Sequence, residues 1–471
     1  MAHNASTLRS TEKPGDPPAE IFKAYDIRGI VGKTLTPAIT ERIGHAIGSE
    51  ARARDMQTII VARDGRLSGP SLLAALAAGI NASGCDVIDI GCVPTPVLYF
   101  ATHYLGSHSG VMVTGSHNPP DYNGLKMVLA GETLSGAAIQ ALRQRLVDRR
   151  LTKGKGMLAQ DDVREAYLQR VTSDVKLARR MRVIVDAGNG VAGEMAPELL
   201  RRLGCDVTEM FCDIDGNFPN HHPDPSQPKN LVDLIQAVQQ GGADIGLAFD
   251  GDGDRLGVIA PDGGIIWADR QLILYARDVL SRNPGGEIIY DVKCSRSVDA
   301  AIRAAGGRAT MWKTGHSFIK AKLKESGALL AGEMSGHVFF KERWYGFDDG
   351  LYTAARLLEL LARDSRPVQA VFDSLPNSVN TPELNIQFAE GEHYTFMQKL
   401  IQRARFPDAR VSTIDGLRVD FNDGFGLVRA SNTTPVLVLR FEGDDATALA
   451  RIQERFRTLL TATQADLTLP F

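Results

Sequence analysis

One pattern recurs three times along the chain: an apolar strand ends in Asp, an Ala-rich helical stretch follows, and a Gly precedes a second strand. The copies are TIIVARDGRLSGPSLLAALAAGINASGCDVIDIG, RVIVDAGNGVAGEMAPELLRRLGCDVTEMF and EIIYDVKCSRSVDAAIRAAGGRATMWKTG. Their strand-end residues are Asp64, Asp186 and Asp291. A strand, a helix and a second apolar strand form the βαβ unit, which needs a mainly parallel sheet with both faces covered. The repeat therefore predicts three related α/β domains.

The last part of the chain departs from this repeat. After LPNSVNTPELNIQF come VSTIDGLRVDF and GFGLVRASNTTPVLVLRF, then a helical run over about 444–463. The DG turns indicate antiparallel pairing, so we expect a smaller α+β domain here. The predicted divisions are a disordered tail over 1–20, α/β domains over 21–161, 162–264 and 265–376, and the α+β domain over 377–471.

Composition argues against several classes of protein. A formal charge of −3 over 471 residues, in a balanced mixture of acids and bases, gives no footprint for nucleic acid or an anionic membrane. No uninterrupted apolar stretch reaches the roughly 18 residues of a membrane span. Five cysteines without a CxxC pair suit a reducing compartment better than a disulfide framework. We expect a monomeric cytoplasmic protein that acts on small molecules, with no nucleic-acid or membrane partner.

The loop FDGDGDR places Asp250, Asp252 and Asp254 at alternate positions after the apolar strand ADIGLAF. Carboxylates this close repel one another unless a cation neutralises them, and hard oxygen ligands favour Mg²⁺ or Ca²⁺. An EF-hand loop requires a Gly and a Glu where this loop has Arg255 and Pro261. We therefore expect Mg²⁺, with Arg255 suited to a sugar or phosphate ligand. A solvated acidic turn is the alternative.

The segment VMVTGSHNPPDYNGLKMV joins an apolar strand to a small-residue turn that leaves Ser116 uncrowded. A serine can carry a phosphoryl group where a metal neutralises the developing charge and a base manages the proton. His117 and Lys126 are the local candidates for that base. Taken alone, such a serine more often only hydrogen-bonds its turn. The second Gly of a GxSxG elbow is missing, which argues against an acyl hydrolase.

Two further loops carry polar groups suited to a sugar phosphate. LLAGEMSGHVFF alternates Glu333, Ser335 and His337 after an apolar strand, so their side chains can face one way. His337 is also a candidate proton carrier, because imidazole titrates near neutral pH. GLVRASNTTPVLVLRF combines a guanidinium with hydroxyl and amide donors, which fits a phosphate clamp. A buried polar strand end and a Ser/Thr-rich turn are the respective alternatives.

Together and in this order, the loops TGSHNPPDYNGLK, DGDGDR, GEMSGH and RASNTTP resemble those of the α-D-phosphohexomutase family, closest to its bacterial bifunctional phosphomannomutase/phosphoglucomutase branch. The resemblance runs from KAYDIRG, at Lys23, to the C-terminus. It implies three α/β/α sandwich domains with mixed, mainly parallel sheets, and a smaller C-terminal α+β domain around a central cleft.

The resemblance also implies an activity. It is reversible phosphoryl transfer between the 1 and 6 positions of mannose or glucose phosphate, through a phosphoserine and a hexose 1,6-bisphosphate, which also serves as the phosphorylating activator. The expected product would supply sugar 1-phosphates for nucleotide-sugar and polysaccharide synthesis. The binding partners are expected to be hexose phosphates.

Site residues follow from the same resemblance. It implies one Mg²⁺ per chain, held by Asp250, Asp252 and Asp254 together with an oxygen of the phosphate on Ser116. The candidate catalytic residues are Ser116, Lys126, Arg28 and His337. The residues expected to bind substrate are Tyr25, His117, Arg255, Lys293, His316, Glu333, Ser335, Arg429, Ser431, Asn432 and Thr433.

A phosphoglucosamine mutase is the alternative within the family. It shares the phosphoserine and metal loops but usually has a different residue between Glu and Ser of GExSGH, so Met334 favours a hexose phosphate. A catalytically silent sugar-phosphate-binding protein is the alternative outside enzymes. Such a protein would have no need of Ser116, the aspartates and Lys126 together.

Overall fold

The computed structural model describes residues 16–432 and 434–471. Most of the predicted disordered tail, and Thr433 of the predicted phosphate clamp, lie outside the described residues. At the end of the predicted tail, Ala19–Ile21 form a short 3-10 helix. Within the described part of the chain, no helix is long and apolar enough to cross a membrane.

The first sheet is mixed and contains the first copy of the repeat. Its strands are β1 (Ile27–Ile30), β2 (Thr58–Arg63), β3 (Asp86–Cys92), β4 (Gly110–Val113), β5 (Tyr122–Leu129), β6 (Glu132–Thr133) and β7 (Leu158–Gln160). The helices along this stretch are α1 (Pro37–Ala53), α2 (Gly69–Ala82), α3 (Thr95–Tyr104) and α4 (Ala137–Val147). The spatial order is β1-β5-β4-β2-β3-β7, with β6 paired to β5. Strands β4, β2, β3 and β7 are parallel, whereas β5 is antiparallel to β1 and β4.

The second and third sheets repeat this arrangement in smaller form. The second has the order β11-β10-β8-β9, and the third β13-β12-β14-β15. Their strands are β8 (Arg182–Asp186), β9 (Asp206–Met210), β10 (Ile245–Phe249), β11 (Leu256–Ile259), β12 (Glu287–Asp291), β13 (Arg308–Trp312), β14 (Leu330–Gly332) and β15 (Val338–Phe340). The helices are α5 (Arg164–Asp174), α6 (Ala192–Arg202), α7 (Val232–Gly241), α8 (Ala268–Arg282), α9 (Arg296–Ala304), α10 (His316–Ser326), α11 (Gly350–Arg363) and α12 (Val368–Asp373). In each sheet one edge strand, β11 or β15, is antiparallel and the other pairings are parallel.

The predicted βαβ units are therefore confirmed as β2-α2-β3, β8-α6-β9 and β12-α9-β13. Their physical basis is visible in the central strands. The residues GVMV of β4 and IGLAF of β10 are buried along their whole length, as expected for parallel strands that are covered on both faces. The loops that leave the carboxyl ends of such strands meet at one edge of each sheet.

The C-terminal sheet is antiparallel, as the turn signals predict. Its strands are β16 (Val379–Asn380), β17 (Leu384–Gln387), β18 (Arg410–Ser412), β19 (Leu417–Phe421), β20 (Gly424–Ala430) and β21 (Val436–Gly443). Helix α14 (Ala446–Thr463) matches the predicted helical run, and α13 (Glu392–Arg403) is a helix that the sequence reasoning missed. The fold class, with mixed and mainly parallel sheets followed by a smaller α+β unit, is confirmed.

Domain boundaries predicted after residues 161, 264 and 376 fall between elements. They lie between β7 and α5, between β11 and α8, and between α12 and β16. The first three domains share one hydrophobic core that includes Ile60, Leu247, Ile288 and Leu375. The C-terminal domain has a separate core, built from β17, β19, β20 and β21 with α13 and α14.

Candidate active site

A central cavity of about 490 Å³ receives side chains from all the sheets described above. All four predicted loops contribute to its lining, and the aspartates of the DGDGDR loop are fully buried beside Ser116. The predicted site residues that line the cavity are Tyr25, Arg28, Ser116, His117, Lys126, Arg255, Lys293, His316, Glu333, Ser335, His337, Arg429 and Ser431. Asn432 follows Ser431 in the chain, and Thr433 lies outside the described residues.

Ser116 lies between the first two domains. Its backbone is in the left-handed region, at φ 48°, which is uncommon for a residue with a Cβ and costs conformational energy. The Ser116 N–H donates to Thr114 Oγ1 at 2.8 Å. Its hydroxyl donates to Asp250 Oδ2 at 3.2 Å. This conformation aims the Ser116 oxygen from the first domain at the acidic loop of the second.

The acidic loop that follows β10 has the composition and geometry of a cation site. Oxygen atoms of Asp250, Asp252 and Asp254 lie within 4.8 Å of one another, and all three residues are buried. Asp252 Oδ1 has no hydrogen-bond partner among the described residues. Burial, reinforced by Asp254 and Asp252, raises the pKa of Asp250 well above its usual value. A divalent cation with oxygen ligands fits this donor set, because it would neutralise the repulsion and satisfy the unpaired oxygen.

Lys126 supplies part of that neutralisation from β5. Its ammonium donates to Asp252 Oδ2 at 2.7 Å and also to Asp254. Asp252 Oδ2 accepts a second bond, 2.5 Å long, from Thr95 Oγ1 at the start of α3. Burial alone would lower the pKa of Lys126, but Asp252 and Asp254 outweigh burial and raise it. Lys126 is therefore charged in this state and binds the acidic loop as a cation.

His117 is the imidazole next to the serine. Its Nδ1 lies 3.2 Å from Ser116 Oγ, and its carbonyl oxygen is bonded to His222 Nε2 of the second domain. Burial, with the cations Arg255 and Arg28 nearby, holds the pKa of His117 well below its usual value. His117 is therefore neutral at physiological pH. Through the bond from His222, the segment NHHPDP, residues 220–225, supports the serine loop.

The loop between β14 and β15 presents polar groups at the middle of the cavity. Glu333 Oε1 accepts a 2.5 Å bond from the N–H of Gly315, and Ser335 Oγ lies 3.0 Å from His337 Nδ1. His337 Nε2 lies 3.3 Å from Asp254 Oδ1, so this imidazole joins the sugar loop to the acidic loop. Burial and Arg255 lower the pKa of His337, yet Asp254 and Glu333 outweigh them and raise it to about 9. Arg255 Nε lies 3.2 Å from the same Nε2 atom, so the guanidinium and Asp254 both act on this ring nitrogen.

His316 is a buried group whose ring nitrogens have no hydrogen-bond partner within the described part of the chain. Its ring stacks on His337 at 5.8 Å between centroids, and its Nδ1 lies 3.5 Å from Asp348 Oδ2. Lys320 donates to the other oxygen of Asp348 at 2.8 Å. Burial and Lys320 hold the pKa of His316 well below its usual value. A neutral imidazole with free nitrogens in this cavity is suited to a ligand hydroxyl or phosphate.

The C-terminal domain closes the other end of the cavity. Arg429 Nε donates to Asp415 Oδ2 at 3.0 Å, which orients the guanidinium from β20 toward the cavity. The carbonyl oxygen of Ser431 accepts bonds from Tyr394 and lies 3.2 Å from His393 Nε2. These contacts order a loop whose guanidinium, hydroxyl and backbone donors suit a phosphate.

Lys293 and Arg28 supply two more cations to the cavity. Lys293, after β12, donates to Glu383 Oε1 at 2.5 Å across the junction with the C-terminal domain. Arg28 donates to Asp26 Oδ2 at 2.6 Å and to the Asn118 side chain. Burial lowers the pKa of Arg28, but Asp26 outweighs burial and raises it. Arg28 therefore stays charged, which fits stabilisation of phosphoryl oxygens better than proton transfer.

Several residues of this site were missed from the sequence. Asp224, Ser226, Gln227 and Trp267 line the cavity between the second and third domains. They lie in connecting segments without a repeated motif, so no sequence signal assigned them to the site.

Asp64 and Arg66 bind the backbone of the serine loop, and for these two residues the sequence did contain a signal. Asp64 is the strand-end residue that recurs in the three copies of the repeat, and Arg66 follows it by two positions.

The chain matches a known family over nearly its whole length. The descriptions matched are Phosphoglucomutase/phosphomannomutase, alpha/beta/alpha domain I over residues 19–152, domain II over 165–263, domain III over 267–379, and the C-terminal domain over 383–459. Individual relatives and a solved structure point to the same family.

A "Phosphomannomutase/phosphoglucomutase" of Pseudomonas aeruginosa is 56% identical over 98% of this chain and 100% of its own length. A "Phosphoglucomutase" of Neisseria gonorrhoeae is 55% identical over 94% of this chain and 96% of its own. A crystal structure of a "Phosphoglucomutase/phosphomannomutase family protein" from Burkholderia thailandensis superimposes with a TM-score of 0.92 at 57% identity, covering 96% of this chain and 99% of that one.

Proposed function

Because the chain belongs to the phosphoglucomutase/phosphomannomutase family, we propose that it transfers a phosphoryl group reversibly between positions 1 and 6 of mannose or glucose phosphate. Ser116 carries the phosphoryl group, and a hexose 1,6-bisphosphate is the intermediate. The observation that supports this most strongly is the 3.2 Å hydrogen bond from Ser116 to Asp250 of the buried acidic loop, in the same cavity as Glu333 and Arg429. We further propose a monomer that works in the cytoplasm and supplies sugar 1-phosphates for nucleotide-sugar and polysaccharide synthesis.

The three aspartates would hold one Mg²⁺ together with an oxygen of the phosphate on Ser116. A bound Mg²⁺ would neutralise charge on the phosphoryl oxygens while the phosphoryl group moves from one oxygen atom to another. On the protein side, the cations Arg28, Lys126 and Arg255 line the same part of the cavity and add to that stabilisation.

In the transfer step, a free hydroxyl oxygen of the sugar forms a bond to phosphorus while the bond from phosphorus to Ser116 Oγ breaks. The sugar hydroxyl gives up its proton, and Ser116 Oγ regains one. One group must accept the proton of the sugar hydroxyl and another must donate a proton to Ser116 Oγ; the candidates are Lys126, His337 and His117, which line the cavity, and His117 Nδ1 lies 3.2 Å from Ser116 Oγ. Microscopic reversal exchanges these roles when the second phosphate returns to the serine.

Each phosphate of the intermediate must bind in turn at the Ser116 end and at the Arg429 end of the cavity. Arg429 and Ser431 would hold the phosphate that is not reacting, while Glu333 and Ser335 would bind sugar hydroxyls in either orientation. The bisphosphate turns over between the two half-reactions, and the serine is phosphorylated again at the end of the cycle. A free hexose 1,6-bisphosphate can phosphorylate the serine by the same chemistry, which explains an activating role.

A coupled assay with Mg²⁺ tests the proposal on mannose, glucose and glucosamine phosphates. We expect the intact chain to interconvert the mannose and glucose pairs faster than the glucosamine pair. Ser116→Ala should lose at least about 1,000-fold in kcat, because the group that carries the phosphate is gone. Ser71→Ala, at an exposed hydroxyl on α2, is the matched control and should retain full activity.

Mass spectrometry checks the carrier directly. A phosphate should be found on Ser116 of the intact protein after treatment with glucose 1,6-bisphosphate. Full activity in Ser116→Ala, or a serine that stays unmodified after this treatment, would overturn the proposal.

A further inference from the structure

We propose that Arg66 is the positioning residue of the phosphate-carrying loop: its guanidinium holds the backbone of residues 116–122 in the conformation that aims Ser116 at the acidic loop. This inference rests on the proposed function, because it takes Ser116 to be the phosphoryl carrier. Arg66 is fully buried, and it reaches the loop from the turn that follows β2.

Every N–H group of the Arg66 guanidinium has an acceptor. Nη2 donates to the carbonyl oxygens of Ser116 and Asn118 at 2.7 and 2.6 Å. Nη1 donates to those of Pro119 and Tyr122 at 2.6 and 2.9 Å. Nε donates to Asp64 Oδ2 at 3.2 Å. A guanidinium has five N–H donors in a rigid plane, so this one side chain matches the loop with none left over.

Asp64 fixes the other side of the same arrangement. Its carboxylate accepts bonds from the backbone N–H groups of Arg66 and Gly115 and from Thr114 Oγ1. Thr114 Oγ1 in turn accepts the N–H of Ser116. The pair Asp64 and Arg66 therefore holds the N–H and the carbonyl of the serine at once.

The fit leaves no space between the guanidinium and the loop. A Cβ on Gly115 would lie 2.5 Å from Arg66 Cζ, and a Cβ on Gly251 of the acidic loop would lie 2.5 Å from the carbonyl oxygen of Ser116. The serine backbone is thus enclosed between Arg66 on one side and the second domain on the other. Such close packing adds to the restraint that the hydrogen bonds place on the loop.

The contacts from Arg66 matter because the backbone conformation of Ser116 is not one that serine prefers by itself. A residue with a Cβ at φ 48° keeps that conformation only where its surroundings determine it. Without the guanidinium, the carbonyl groups of residues 116, 118, 119 and 122 lose a donor and the backbone is free to relax. A displacement of about 1 Å between reacting atoms can reduce a rate about 100-fold.

The decisive experiment compares Arg66→Ala and Arg66→Lys with the intact chain in Mg²⁺. Lysine keeps the charge but has three N–H donors on one nitrogen, so at least two of the acceptors are left unpaired. We expect kcat per folded molecule to fall at least about 100-fold in Arg66→Ala and by an intermediate factor in Arg66→Lys. KM for the hexose phosphate should stay within about threefold, since Arg66 is absent from the cavity lining.

Arg356→Lys is the matched control. Arg356 is also a buried guanidinium, on α11, and bonds to Glu342 and Asp278 rather than to the serine loop. It should lose thermal stability while keeping its kcat. Hydrogen exchange gives a second readout that needs no activity: the amides of residues 114–124 should exchange at least tenfold faster in Arg66→Ala, with little change elsewhere.

The outcomes separate the two proposals. A kcat per folded molecule within threefold of the intact chain in Arg66→Lys and, if it folds, in Arg66→Ala would overturn the role of Arg66. Should Arg66→Ala fail to fold, Arg66→Lys decides the question alone. If the intact chain interconverts none of the hexose phosphates, the proposed function fails instead. Unchanged exchange of residues 114–124 would then overturn the positioning role as well.

Discussion

The end of the cavity that carries Ser116 and the aspartates is held differently from the end that carries Arg429. Around the serine, contacts come from two domains and from fully buried groups: Arg66, Asp64, Lys126 and the three aspartates of the acidic loop are all at most 2% exposed. Around Arg429, orientation depends on Asp415 of the same domain, whose Oδ2 also accepts the N–H of Thr314 from the third domain at 3.0 Å. The chemistry is thus placed between domains that share a hydrophobic core, and the proposed clamp lies in a domain that has its own core and meets the third domain through polar contacts.

The hydrophobic cores show the same contrast. One core joins the first three domains, whereas the core of the C-terminal domain is separate. The junction between them is largely polar: Arg418 donates to the carbonyl oxygens of Val292 and Cys294 at 2.7 Å, and Arg440 donates to Asp269 at 3.2 Å. A small cluster that includes Phe425 adds apolar contact.

This difference has a physical reason. Phosphoryl transfer needs atoms placed to within a fraction of an ångström, so the groups that act on it benefit from a continuous core and complete hydrogen bonding. Entry, reorientation and release of a sugar bisphosphate need a part that can move, and polar interfaces between domains allow such motion. We therefore expect the C-terminal domain to move as a body while the serine and acidic loops stay fixed relative to each other.

The largest expected effect concerns the end of the cavity that carries Ser116 and the aspartates. Asp252→Asn should lower kcat at least about 1,000-fold and weaken Mg²⁺ binding, because one of three charged ligands becomes neutral. Chelation of the intact protein should produce the same loss, with recovery on adding Mg²⁺. The exposed carboxylate Asp233, changed to Asn, serves as control and should leave the rate unchanged. Retention of more than a tenth of the activity in Asp252→Asn would contradict the metal assignment.

The next effect tests the separation of the cores. Leu439→Ala removes a fully buried side chain of β21 and should destabilise the C-terminal domain by about 2–5 kcal/mol. Hydrogen exchange in mild denaturant should then show faster exchange over 384–460 and little change in the first three domains. Leu247→Ala, in the joined core on β10, is the matched comparison and should have the reverse pattern. If both variants loosen the whole chain equally, the two cores behave as one unit.

The smallest effect concerns the clamp itself. Arg429→Lys keeps the charge but loses the planar pair of donors that can bind two phosphate oxygens, so KM for hexose phosphate should rise about 10- to 100-fold. The change in kcat should be much smaller than for Asp252→Asn, since Arg429 is assigned to the phosphate that does not react. Steady-state kinetics on both substrate pairs measures this, with Arg451→Lys at an exposed guanidinium as control. A fall in kcat with an unchanged KM would place Arg429 in the chemical step instead.

Much of the fold was predictable because it depends on local patterns. The strand that ends in Asp, the helix and the second strand recur three times, and period and composition are enough to indicate a parallel sheet. Helix α13 was missed, since its segment EHYTFMQKLIQR lies among short strand-like runs and carries no strong signal at its start. The loops that carry chemistry were found because they combine unusual residue types directly after apolar strands.

Arg66 shows where prediction from sequence ended. The turn that contains Arg66 could be recognised in the sequence. The carbonyl groups that Arg66 binds lie about 50 positions further along the chain, so no local spacing connects them to it. The same holds for Asp348 and Lys320 behind His316, and for the contact of His222 with the serine loop. Such residues act through burial and geometry, which arise only when distant segments pack.

The sequence by itself determined the chemistry that is available: a serine in an open turn, three alternating carboxylates, a carboxylate and imidazole loop, and a guanidinium among hydroxyls. Only the tertiary structure decided that these groups meet. Ser116 and Asp250 are 134 positions apart in the chain, and they come within 3.2 Å because the carboxyl ends of strands in different sheets face one cavity. Local hydrogen bonding and periodicity depend on short stretches of sequence, whereas the placement of one loop against another depends on the packing of whole domains.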